Sequence, residues 1–145
     1  KYGGYDVRLT RNQDNELNYR IRKNGGKIFL ANDINLSYYC RDSLSGICKM
    51  AFGNGKWTLI TSKFCPGTMG LRHFIPFIFV LSLIAGLAHW LFLAEIGLYL
   101  LLDILFSIKD AKGVKYILPM ILIFPCFHIS YGIGSLVGLA KWFFV

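Results

Sequence analysis

Between His73 and Ile108 the chain reads HFIPFIFVLSLIAGLAHWLFLAEIGLYLLLDILFSI, without a single Lys or Arg and with only Glu95 and Asp103 as acids. As one straight helix these residues would extend about 54 Å, far beyond a hydrocarbon core of roughly 30 Å. A hairpin of two membrane helices is the better solution, with spans near 74–91 and 92–108 and the bend between Ala88 and Glu95. A third uncharged run from Tyr116 to Ala140 carries Pro119, Pro125, Gly132, Gly134 and Gly138. It reads as a further span near 116–140, either kinked or split into a span and an interfacial helix.

The charge lies on the other side of this boundary. Residues 1–72 hold twelve Lys or Arg against five Asp or Glu, a net +7, whereas residues 73–145 hold four against three, a net +1. A basic segment ahead of an apolar one favours anionic lipid headgroups or phosphorylated substrates. It carries no long Lys/Arg run interleaved with aromatics of the kind a nucleic-acid groove needs. Lys63 and Arg72 precede the first span, and Lys109, Lys112 and Lys115 follow the second, so the positive-inside rule places both flanks in the cytoplasm of a multi-pass plasma-membrane protein. Arg72, His73, Trp90 and Tyr116 stand where interface anchors or ordinary flanking residues are expected.

Cys40, Cys48, Cys65 and Cys126 have neither C-x-x-C spacing nor a nearby histidine pair, so no zinc or redox site is expected, and free thiols fit a reducing compartment. The chain opens on Lys1 rather than Met, without an apolar leader, which predicts further sequence upstream.

Within residues 1–65, Asn12 to Gly26 reads as a helix. Asn12 is its candidate N-cap, acids fill the first turns, Arg20, Arg22 and Lys23 come late, and Gly25-Gly26 forms the stop. Lys27 to Leu30 is a short strand candidate, and Ile34, Leu36 and Tyr38 alternate with polar residues as a half-buried strand would. Asp42 or Ser43 caps a second helix of about a dozen residues, which a Gly53-Asn54-Gly55 turn ends. The expectation is a partial α/β layer, followed by two or three transmembrane helices at 66–145.

The strings Gly3-Gly4-Tyr5-Asp6, Asn12-Gln13-Asp14-Asn15-Glu16-Leu17, Tyr19-Arg20-Ile21-Arg22-Lys23 and Gly25-Gly26-Lys27-Ile28 resemble the acceptor-side half of family 2 glycosyltransferases. In that family a G-G-[FY]-D loop leads to E-D-x-E-L on a helix; here Gln13 replaces the first acid, while Asp14, Glu16 and Arg20 stay. Tyr39-Cys40-Arg41-Asp42-Ser43-Leu44 and Phe52-Gly53-Asn54-Gly55-Lys56-Trp57 extend the resemblance. Leu71-Arg72-His73-Phe74-Ile75-Pro76 and His128-Ile129-Ser130-Tyr131-Gly132-Ile133-Gly134 carry it to the junction and tail of succinoglycan-type, exopolysaccharide enzymes. The family's processive Q-x-x-R-W is incomplete, with Gly53 and Lys56 at the Gln and Arg positions, which argues against a processive polymerase.

The resemblance implies a GT-A type domain, of which only the acceptor half is present. It also implies inverting transfer of a sugar from a nucleotide-sugar donor to a hydroxyl of a saccharide or lipid-linked acceptor. Asp14 takes the role of catalytic base, because the transfer needs a carboxylate to remove the acceptor proton. The partial positive charge of a helix N-terminus favours a carboxylate there, and complementing that dipole is its plain structural alternative. Glu16 either binds an acceptor hydroxyl or pairs with Arg20 four residues on. Arg20 is a candidate for a phosphate. Lys56 and Trp57 offer a cation and a stacking wall, or Trp57 anchors the domain to the bilayer. The family's Mg²⁺ or Mn²⁺ sits on a D-x-D motif that this chain lacks, so the fragment alone is expected to be inactive. A non-enzymatic membrane scaffold or transporter subunit with a basic lipid-binding domain is the competing reading. Glu95 is expected at the hairpin bend, whereas Asp103 at membrane depth invites a functional role, with His128 and Tyr131 as possible partners.

Overall fold

The structure is a computed structural model, and it describes residues 2–87 and 89–144. Among the described residues five α-helices follow one another: α1 (Gln13–Lys23), α2 (Leu44–Phe64), α3 (Ile75–Gly86), α4 (Leu91–Asp110) and α5 (Ile117–Trp142). Short 3₁₀ turns at Leu71–Phe74 and Val114–Tyr116 lead into α3 and α5. The architecture is all-α, and among the described residues there is no strand, which overturns the expected α/β layer and with it the partial GT-A sheet. Residues 27–41 form no regular element and bend at 32–33, and Phe29, Leu30 and Leu36 are each about nine-tenths exposed. Alternation of apolar residues creates a strand only when another strand supplies ladder hydrogen bonds and covers the apolar face.

Helix α1 ends as its sequence dictates. Gly25 takes φ +76°, the Gly26 N–H returns to the Ile21 carbonyl at 2.9 Å, and the Gly25 N–H returns to Arg22 at 3.0 Å. This double return is the glycine stop that satisfies the last carbonyls of a helix. Asn12 does precede the first turn, yet it does so in the left-handed region at φ 62° and makes no side-chain cap. Its amide reaches instead to Thr61 Oγ1 on α2, at 3.5 Å.

Helix α2 corrects a second expectation. Ser43 caps it by accepting the Gly46 N–H at 3.2 Å, but the helix runs 21 residues, straight through Gly53-Asn54-Gly55. Each glycine costs a helix about 1 kcal/mol relative to alanine, so something must offset the loss. Packing on α5 does. A Cβ at Gly55 would overlap the Tyr131 carbonyl, one at Gly134 the Phe52 carbonyl, and one at Gly138 the Lys56 carbonyl. Small residues four apart on both helices, Ala51 and Gly55 facing Gly134 and Gly138, let the two backbones touch. Thr58, Thr61 and Ser135 are buried in this seam, and Thr58 Oγ1 lies 2.7 Å from the Tyr131 hydroxyl.

The α3–α4 hairpin turns at residues 87–90, with Ala88 of the expected bend lying outside the described residues. Phe79 stacks on Tyr99 with ring centroids 4.6 Å apart, and Ser82 hydrogen-bonds Glu95 across the hairpin. Glu95 is thus a partner of α3. Two helices are long and apolar enough to span a membrane, α4 with 20 residues and the 29-residue stretch Val114–Trp142; residues 71–86 form a shorter apolar helix. Along α4, Leu93, Leu98, Leu101 and Leu105 are all more than half exposed, which gives the helix an apolar outer face. Helix α5 is continuous despite Pro125, neither split nor replaced by an interfacial piece.

Candidate functional site

Asp14 is the second residue of α1 and is exposed. It lines an open polar recess of about 450 Å³ together with Tyr5, Arg11, Gln13 and Asn15, and with Asn54 from α2. The recess exists because Arg11 spans the gap between the N-terminal loop and α2: its Nη1 donates to Asn54 Oδ1 at 2.9 Å, and its guanidinium occupies the space a side chain at Gly53 would fill. Leu9, 1% exposed, pins the same loop from below, and the Gln13 amide donates back to the Leu9 carbonyl. A carboxylate, a guanidinium and the four carboxamides of Asn12, Gln13, Asn15 and Asn54 around one opening provide acceptors and donors of the kind that hold a polyhydroxyl ligand.

Glu16 and Arg20 lie elsewhere. Glu16 is only 5% exposed and accepts two bonds from Arg20, Nε to Oε1 at 2.8 Å and Nη2 to Oε2 at 2.7 Å. The same guanidinium donates to the Gly4 carbonyl at 2.8 Å and to the Tyr2 carbonyl. This bidentate pair, one turn apart, therefore clamps the Tyr2–Gly4 segment onto α1, and through it sets where Tyr5 enters the recess. Of the two roles the sequence left open for Glu16, the structure displays the i, i+4 pair.

Helix α2 separates the other two residues. Lys56 follows Asn54 by two positions, about 200° around the helix, so it faces α5 rather than the recess. Burial, and then the facing Lys141, pull the Lys56 ammonium below its usual range. Trp57, three positions beyond Asn54, shares the face of α2 that carries Gly53 and Asn54. It is half-buried there. Asp6, from the Gly-Gly-Tyr-Asp loop, is held by Arg8 at 2.6 Å, and hydrogen bonds from that residue's side chain and backbone lower its carboxyl to about 2. Arg8 in turn lies over the Phe64 ring, 4.7 Å from its centroid.

Arg11 and Asn54 were not singled out in the sequence. The signal for them is weak, since an Arg and an Asn 43 residues apart become neighbours only when α2 continues through its glycines. Among the described residues, no group of three His, Cys, Asp or Glu side chains is placed to hold a metal ion.

Against this geometry stand the comparisons. The chain is similar to a succinoglycan biosynthesis protein. That relative, ExoA of Rhizobium meliloti (strain 1021), is 26% identical over 100 residues, which cover 67% of this chain and 30% of the relative. The chain thus spans under a third of the relative's length. No family model matches the chain, and no solved structure matches it.

Proposed function

We propose that this chain belongs to a membrane-associated glycosyltransferase of polysaccharide synthesis, which moves a sugar from a nucleotide-sugar donor to a hydroxyl of a saccharide or lipid-linked acceptor. The single observation that carries the reading is Asp14: an accessible carboxylate in the first turn of α1, on the rim of a polar recess, in a chain similar to a succinoglycan biosynthesis protein. Succinoglycan is a polysaccharide, and its assembly requires glycosidic bonds.

In this reading the acceptor hydroxyl hydrogen-bonds Asp14, whose carboxylate takes the proton as the oxygen attacks the anomeric carbon. The diphosphate leaves with the electron pair of the broken bond. Arg11 and Asn54 orient the acceptor from the side nearest α2 and Tyr5 supplies an aromatic edge, while Trp57 lies on the same face of α2 outside the residues that line the recess. Glu16 and Arg20 act one step removed by fixing the loop that bears Tyr5. Lys56, turned toward α5, supports the reading least. The recess sits on the basic, cytoplasmic side, with α4 and α5 as the membrane anchor.

The test is transfer of radiolabelled sugar to endogenous acceptor in membranes containing the complete gene product, comparing wild type with Asp14→Asn and Asp14→Glu. Loss of transfer in Asp14→Asn with donor binding retained supports the assignment. Full transfer by Asp14→Asn removes it.

A further inference from the structure

A chamber of about 410 Å³ lies between α4 and α5, lined also by Ile75 at the start of α3. Leu102, Phe106 and Phe124 make most of its wall, and Leu102 and Phe106 are about half exposed, so the chamber opens sideways onto the apolar surface of α4. Three groups break this apolar lining: Tyr99, Asp103 and His128. Two are already satisfied by each other, since the Tyr99 hydroxyl lies 2.9 Å from His128 Nδ1. Asp103 is different. It is only 5% exposed, its Oδ1 has a long 3.4 Å bond from Ser107, and its Oδ2 has no hydrogen-bond partner.

A carboxyl oxygen without a partner in apolar surroundings is unfavourable, and at membrane depth no water is at hand to relieve it. We propose that this chamber is a binding site for a single-chain amphiphile: its aliphatic chain fills the apolar space, and its polar end, a hydroxyl or an ammonium group, donates a hydrogen bond to Asp103. The size, about 410 Å³, falls within the range of pockets that enclose small ligands. The donor requirement follows from chemistry. Tyr99 is committed to His128 and Ser107 makes only a long bond to Oδ1, while Oδ2 is itself shut off from solvent, so a donor in the chamber meets the free acceptor once the carboxyl turns about its Cβ–Cγ bond. An anionic head would instead be drawn to Arg72, which borders an adjoining recess of about 310 Å³ that shares Ile75, Tyr99 and His128.

The experiment uses the full chain in lipid nanodiscs and hexadecanol carrying a photoreactive diazirine on its chain. Unlabelled hexadecanol, hexadecylamine, hexadecyl methyl ether and hexadecyl phosphate serve as competitors. Saturable labelling of α4 and α5 peptides is expected, with the alcohol and the amine competing at least tenfold better than the ether, which has the same shape but no donor. Asp103→Ala should bring the alcohol down to the level of the ether. Asp103→Asn, whose amide oxygen still accepts, should keep the preference for alcohol over ether and lose the preference for amine. Equal competition by alcohol and ether, labelling that does not saturate, or stronger competition by the phosphate that disappears in Arg72→Ala would each overturn the proposal. The comparison of alcohol with ether on the wild-type chain decides the matter even if Asp103→Ala does not fold.

Discussion

Gly134 of α5 lies directly on the Phe52 carbonyl of α2, so close that even a methyl group would overlap the backbone. The contact has no slack, because both partners are main chain and neither can rotate away. Gly134→Ala should therefore destabilise the chain by about 1–3 kcal/mol, the usual cost of overpacking a filled interface. Gly97→Ala on α4 is the matched control: nothing lies within 4 Å of its added methyl, and it should be neutral or slightly stabilising. Thermal unfolding of both variants in the same detergent measures the difference, and equal midpoints would contradict the close approach.

The bond between Thr58 Oγ1 and the Tyr131 hydroxyl joins the same two helices at 2.7 Å and is shut away from solvent. Thr58 also donates to the Asn54 carbonyl at 2.9 Å, so its hydroxyl keeps a partner when the tyrosine is changed. Tyr131→Phe should cost about 1 kcal/mol, the net worth of an ordinary hydrogen bond. A double-mutant cycle with Thr58→Val should show coupling of similar size, and additive effects would mean that the bond contributes nothing.

Arg20 binds the Tyr2 and Gly4 carbonyls as well as Glu16. Arg20→Ala frees the loop and leaves a buried carboxylate without its partner. Hydrogen exchange at residues 3–8 should accelerate at least tenfold, while exchange in α4 stays unchanged. Arg20→Lys should rescue little, since one ammonium cannot reproduce the forked geometry.

Asp6 carries the clearest pH signature. Arg8 holds its carboxyl at about 2, against an ordinary value of 3.8. A carboxyl lowered in the folded state stabilises fully above its unfolded pKa, and that contribution fades as the pH falls from about 4 through 2. Arg8 is 56% exposed, so solvent screening keeps the effect small. The Asp6 side-chain resonance should titrate near 2 in wild type and near 4 in Arg8→Ala; a midpoint near 4 in both would dismiss the pair.

For the proposed transfer, Asp14→Asn should lower the rate by about 10²–10⁴, the range of a lost general base, with donor affinity unchanged. Asn54→Ala should raise the acceptor KM with a smaller effect on kcat. A variant with unchanged KM would remove Asn54 from the acceptor side of the recess.

The end of α1 was legible because a glycine stop is local: Gly25 and Gly26 end the helix through bonds to residues three and five positions back, whereas Asn12 marks the start without the side-chain cap expected of it. Hydrophobic length was equally legible. The runs near 92–108 and 116–140 correspond to the two long apolar helices, since an apolar helix needs no distant partner to satisfy its backbone, whereas the run near 74–91 gives only the 12-residue helix Ile75–Gly86. The role of Glu16 lay within reach as well, because a partner four residues away is set by helix geometry alone.

Other features depended on contacts that no local pattern encodes. Gly53-Asn54-Gly55 carries every mark of a turn, and α2 continues through it because α5 rewards bare backbone at Gly55. The alternation in residues 27–41 has the period of a strand, yet pairing is a property of two segments, and among the described residues no second one arrives. The recess beside Asp14 was hidden for the same reason. Sequence thus determined the two long apolar helices and where α1 ends, since those choices rest on apolar content and a glycine stop within a few turns. Tertiary structure alone decided that α2 is unbroken, that Arg11 meets Asn54, and that Asp103 faces an apolar chamber, because each is a meeting of residues far apart in the chain.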